Sequence, residues 1–127
     1  MTGLASRFFA SAILYAILGM MLGLHMGISK DHSQMPTHAH LLVIGWVTFA
    51  LFGIFYHLFP ERAATKLAAI QFWLAQVSLV ILIVGLYLLF GGNASADPLA
   101  AVGSVGLLLA MILFGIIALP VVRNARQ

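Results

Sequence analysis

Between Leu41 and Phe55 the chain carries no charged side chain, and the segment from Pro36 to Phe59 is 24 residues long and almost wholly apolar. As a helix rising ~1.5 Å per residue it spans roughly 36 Å, enough to cross a ~30 Å hydrocarbon layer with some tilt. Three further runs have the same character, from about Phe8 to Ile28, Ala63 to Phe90 and Pro98 to Val122. Soluble domains carry about 25% charged residues. This chain carries 7%, with 63% hydrophobic residues and a mean hydropathy of +1.11. The expectation is an all-α integral membrane four-helix bundle. It forms one transmembrane domain over residues 1–127, with helices at about 8–28, 36–59, 63–90 and 98–122 and no room for a separate soluble domain. Arg7 followed by an apolar run imitates a signal peptide, but no A-x-A cleavage site follows, so the run reads as a retained helix.

The connecting loops are short, and their charges set an orientation. Arg7, Arg62, Lys66, Arg123 and Arg126 fall on one side, against Lys30 alone on the other. The positive-inside rule then places both termini in the cytoplasm, in a multi-pass protein of a bacterial inner (cytoplasmic) membrane. These basic residues do not cluster on a soluble face, so the net charge of +3 does not point to nucleic acid. Helix one carries a stripe of small residues, Ala12, Ala16, Gly19, Gly23 and Gly27, that lets another backbone or a flat group approach closely. His25 lies on roughly the opposite side, above Met21, Leu18 and Leu14. Two distinguished faces on one helix suggest a homo-oligomer.

With that orientation His25, His32, His38 and His40 gather at the outer end, and His57 sits near the inner one. Imidazoles at a membrane boundary are costly unless they bind, pair or stay wet. The loop SKDHSQMPT adds Asp31 and Met35, with Thr37 as a candidate helix cap and Pro36 tightening the entry. No cysteine is present, which excludes disulfides, thiolate ligands, iron–sulfur clusters and covalently attached c-type heme. Glu61, Arg62 and Lys66 in the second loop read as headgroup contacts. Residues two apart on a regular helix point ~200° from each other, so His38 and His40 cannot both reach one metal. His38 shares its face with Leu42, Gly45, Phe49, Phe52 and Tyr56, a glycine notch and aromatics suited to a flat apolar ring. His40 shares its face with Ile44, Val47, Leu51, Ile54 and Leu58, which suits lipid. His38 is the expected inward ligand.

The run His38-Ala39-His40-Leu41-Leu42-Val43-Ile44-Gly45-Trp46, continuing through Phe52-Gly53-Ile54-Phe55-Tyr56-His57-Leu58-Phe59-Pro60-Glu61, resembles the second helix of the catalytic subunit of heme-copper oxidases, closest to the nitric oxide reductase branch. In that family a histidine at the outer end of this helix ligates the low-spin heme, and a tryptophan and an aromatic-x-x-Pro-Glu exit follow. His38 matches when the two are aligned from the front, and His40 matches the Ala-His pattern of other oxidases. The chain is also similar to small oxidase-like bacterial membrane proteins with a pattern matched here by Gly27, Asp31, His32, Pro36, His38, Ala39, His40 and Leu41. The resemblance covers only the first four of about twelve helices. The second low-spin ligand, the copper-binding histidines and the high-spin heme ligand of the family have no counterparts here, so reduction of oxygen or nitric oxide by one chain is not supported. What the resemblance implies is one redox site.

Three readings follow. The first is a membrane protein binding heme b, with His38 or His40 as one axial ligand, Gly45 and Phe49 lining the ring, and His25, His32 or another protomer giving the second ligand. It would serve electron transfer or gas and redox sensing, with a redox partner protein or quinol. The second is a copper or zinc site built from His32, His38 and His40 with Asp31 and His25 nearby. The third is a structural or assembly subunit whose histidines cap helices and contact headgroups.

Overall fold

In a computed structural model that describes residues 1–124, every long element is a helix and no strand is present among the described residues. The helices are α1 (Gly3–Ser29), α2 (Met35–Leu58), the single turn α3 (Pro60–Ala63), α4 (Lys66–Phe90) and α5 (Asp97–Asn124). A 3₁₀ turn, Ala94–Ala96, precedes α5. The four long helices, counting that turn with α5, are each long and apolar enough to cross a membrane. Arg126, one of the residues used to orient the chain, lies outside the described residues.

The helix bounds differ from the hydropathy runs where polar and apolar signals part. Helix α1 starts at Gly3, because Ala5, Ser6 and Arg7 continue a helix that a window of apolar residues does not register. Helix α4 starts at Lys66, capped by Thr65, whose hydroxyl accepts from the Ala68 N–H at 3.1 Å. Thr37 is not a cap: α2 starts at Met35, and the buried Thr37 hydroxyl donates to Gln34 Oε1 at 2.7 Å. Helix α1 ends on Lys30 in the left-handed region (φ 62°), with its N–H on the Met26 carbonyl.

The larger departure is inside α2. Leu41–Thr48 is π-helical, between α-helical Met35–His40 and Phe49–Leu58. With i→i+5 hydrogen bonds each turn takes more residues than an α turn, so positions four apart come nearly into line. The Thr48 hydroxyl donates to the Val43 carbonyl five residues back, at 2.9 Å.

The bundle is two hairpins. In the first, α1 and α2 pack through the small stripe: a Cβ on Gly19 would lie 2.8 Å from Leu42 Cδ2, and one on Gly53 3.1 Å from the Ala5 carbonyl. In the second, α4 and α5 approach still more closely. A Cβ on Gly85 would lie 2.5 Å from the Ala100 nitrogen, and one on Gly103 2.5 Å from the Leu82 nitrogen. Small residues that let backbones touch are how apolar helices associate when lipid is as apolar as the partner.

The hairpins join through an aromatic core and a few polar bonds. Phe8 is fully buried and meets Phe49, Phe52, Tyr56 and Phe72 with ring centroids 4.8–5.8 Å apart. The Tyr15 hydroxyl donates to Gln76 Oε1 (2.9 Å), whose amide donates to Ser11 Oγ (2.6 Å), and the Tyr56 hydroxyl donates to Gln71 Oε1 (3.2 Å). At the end of the bundle that carries the α1–α2 loop the Gln34 amide donates to the Tyr87 carbonyl (3.0 Å). Bonds of this kind within a membrane contribute on average ~0.6 and at most ~1.7 kcal/mol. Packing therefore carries most of the association.

Candidate cofactor groove

Helices α2 and α5 touch in the halves nearer the chain termini, where Phe114 packs on Phe52 (4.5 Å) and Phe55 (5.0 Å). Above that contact they part, and a groove of about 330 Å³ opens between the hairpins. Its walls come from the π-helical side of α2 (His40, Ile44, Thr48), from Leu82 of α4, and from Ser104 and Leu107 of α5. Thr48 continues the line of His40 and Ile44 because the wide turn aligns residues four apart. A regular helix would have continued that line with Val47, which is exposed instead.

The half-buried His40 ring stands in the wall of this groove. Its Nδ1 is 2.7 Å from the Pro36 carbonyl, a bond that requires Nδ1–H and leaves Nε2 as a lone-pair nitrogen. Metal-bound histidines are commonly fixed in this way, by donating the second ring N–H to a carbonyl. The Ser104 and Thr48 hydroxyls already donate to the Ala100 and Val43 carbonyls, each at 2.9 Å. The groove is thus nearly apolar, with one imidazole.

His38 is placed on the other side of α2. Its Nδ1–H donates to the Gly19 carbonyl at 2.7 Å, and its ring lies over Gly23, where a Cβ would come within 2.6 Å of Cε1. The expectation that the His38 side is the inside of the bundle agrees with the burial of Gly45, Phe49, Phe52 and Tyr56. Of the face expected to meet lipid, Val47, Leu51, Ile54 and Leu58 are exposed, and only the half-buried His40 and Ile44 depart from it, standing in the wall of the groove. The notch at Gly45 is filled by the protein itself: a Cβ there would lie 2.6 Å from Tyr15 Cβ. Phe49 is fully buried in the aromatic core, with an edge on the groove.

His25, Asp31 and His32 are exposed at the end of α1 and in the loop that follows it. The Ser33 N–H, 3.0 Å from Asp31 Oδ1, holds that carboxyl below its ordinary range, and His32 Nδ1 bonds the Lys30 carbonyl at 3.1 Å. Among the described residues no three His, Asp or Glu side chains gather where they could hold a metal ion, so the His32, His38 and His40 set expected for copper or zinc is not brought together. The groove and the π-helical wall were not foreseen from the sequence.

No protein family, curated protein or solved structure matches this chain.

Proposed function

We propose that the chain is a membrane b-type heme protein with His40 as an axial ligand, the macrocycle taken between the two hairpins. The observation that carries this reading is the His40 imidazole, fixed through Nδ1 to the Pro36 carbonyl, in the wall of an apolar groove of about 330 Å³. An apolar slot with one fixed imidazole, open on one side, suits part of a flat, largely apolar iron porphyrin, whose remaining edge would extend from the groove. With no cysteine in the chain the group would be held without covalent attachment. Bound heme would supply an iron that changes redox state and accepts a small axial ligand.

The chain's own residues favour one of the two uses. Among the described residues no second imidazole lines the groove: His38 is turned to α1, and His25 and His32 are exposed. A single protein ligand leaves a coordination position free, which favours sensing of a small gas over a closed bis-histidine electron carrier. A second copy of the chain supplying an imidazole would restore the closed form, and the exposed Leu14, Leu18 and Met21 on α1 offer it an apolar face. Arg7, Arg62, Lys66 and Arg123 lie at one end of the bundle, which supports cytoplasmic termini in a bacterial inner membrane. The copper or zinc reading draws less support, because its ligands are dispersed.

The test is optical. Purified chain reconstituted with hemin should show a Soret band, a dithionite-reduced spectrum of low- or high-spin b type and near-stoichiometric iron, and carbon monoxide should shift the reduced spectrum. Absence of a Soret band after reconstitution refutes the heme reading; stoichiometric copper or zinc without iron replaces it with the alternative.

A further inference from the structure

Resting on the heme reading, we propose that the groove selects among small ligands of the iron by offering them no hydrogen bond. It takes neutral ligands that need none, with carbon monoxide as the probe. It discriminates against those that carry or gather negative charge, dioxygen and azide.

The donors in its walls are all taken. Among the described residues three polar side chains line the groove, His40, Thr48 and Ser104. The His40 Nδ1–H is held by the Pro36 carbonyl at 2.7 Å, and Nε2 carries no proton to give. The Thr48 hydroxyl is held by the Val43 carbonyl and the Ser104 hydroxyl by the Ala100 carbonyl, each at 2.9 Å. The lining residues lie inside long helices, beyond the first turn, so their backbone N–H groups are spent in helical bonds.

These bonds are not readily given up. Helical serine and threonine bond back to a carbonyl of the preceding turn, and a nearly apolar groove holds little to compete for them. A hydroxyl that turned to a ligand would exchange one hydrogen bond for another, with little net gain.

Positive charge is missing as well. Among the described residues no Lys or Arg lines the groove, so an anion inside it would lose water and find no partner. Toward the open side the exposed Leu108 and Met111 at the rim offer no donor, and acyl chains offer none either. In heme sites the polarity and donors around the free position decide how dioxygen is held. Dioxygen draws negative charge onto itself and gains from a donor, whereas carbon monoxide stays near neutral.

The experiment uses the full chain reconstituted with hemin in neutral detergent. Hemin with 2-methylimidazole in the same detergent, which leaves one position free, is the donor-free reference. Flash photolysis of the reduced samples in mixed carbon monoxide and dioxygen gives the ratio of the two affinities, and azide titration of the ferric samples gives that of the anion. The ratio should match the reference within about threefold, and azide should bind no more tightly than to the reference, since both lack a donor. Leu107→Gln sets an amide in the groove wall and should move the ratio about tenfold toward dioxygen, as for one hydrogen bond to a charged group, and lower the C–O stretching frequency. Leu107→Met, of similar size without a donor, should do neither. The inference is overturned if the parent favours dioxygen or azide by about tenfold over the reference, or if Ser104→Ala or Thr48→Val costs dioxygen as much relative to carbon monoxide. It is also overturned if Leu107→Gln leaves the ratio unmoved or Leu107→Met moves it as far. Absence of a Soret band overturns the heme reading and this inference with it; a Soret band with a dioxygen-favouring ratio overturns this inference alone.

Discussion

Replacing Gly23 by Ala tests how closely α2 is seated on α1. The added Cβ would lie 2.6 Å from Cε1 and 3.1 Å from Nδ1 of His38, where carbon atoms normally stay ~3.5–4.0 Å apart. The ring must retreat by about 1 Å, which takes the 2.7 Å bond to the Gly19 carbonyl past hydrogen-bonding range. Overpacking of this kind costs ~1–3 kcal/mol, and the lost bond adds ~0.6–1.7 kcal/mol. Ala gains back at most ~1 kcal/mol over Gly in a helix. The net expectation is a destabilisation of about 1–3 kcal/mol, read from reversible unfolding in mixed detergent–dodecyl sulfate micelles. Gly27→Ala, four residues on, is the matched control, because a Cβ there meets nothing within 4 Å. It should be neutral or stabilising by up to ~1 kcal/mol. If Gly23→Ala proves as stable as the parent, the His38 seat on α1 is wrong.

Further outcomes follow from the same geometry. In Gly103→Ala the new Cβ meets the Leu82 backbone nitrogen at 2.5 Å, so α5 must move off α4 at a cost of about 3 kcal/mol, while Gly115→Ala, with nothing within 4 Å, should leave the unfolding midpoint within ~0.5 kcal/mol of the parent. Gln76→Leu strands the Tyr15 hydroxyl and removes the donor to Ser11 Oγ, which keeps its own bond to the Phe8 carbonyl, and should cost about 1–3 kcal/mol; a double-mutant cycle with Tyr15→Phe should show a coupling well above zero. Lys30→Gly relieves a left-handed backbone position at the end of α1 and should stabilise by up to ~1 kcal/mol, with heme content unchanged.

Much of the fold was legible because lipid makes one demand, long apolar helices, and hydropathy reads it directly. The four spans follow from it, with edges displaced where residues such as Ser6 and Arg7 continue a helix beyond the apolar run. The small stripe on α1 was legible too, and Gly19 and Gly23 take the side chains of Leu42 and His38. The π-helical stretch was not: Leu41–Thr48 holds no proline and only one glycine, Gly45, and nothing local to it announces an i→i+5 pattern. That stretch decides which residues line up with His40. The opposed directions of His38 and His40 were readable from spacing, as was the exposure of Val47, Leu51, Ile54 and Leu58, but a wheel cannot show that α2 and α5 part above Phe114 and leave His40 and Ile44 in the wall of a groove. His25, Asp31 and His32 are close in sequence to the other donors, yet they sit in an exposed loop and the end of α1, where nothing folds them toward His40.

The most direct test compares the heme content and reduced-minus-oxidised optical spectra of His40→Ala and His38→Ala, each reconstituted beside the parent. The groove account predicts that His40→Ala loses the Soret band or binds heme at least tenfold more weakly, while His38→Ala keeps a parent-like spectrum. Heme retained in His40→Ala and lost in His38→Ala would contradict it.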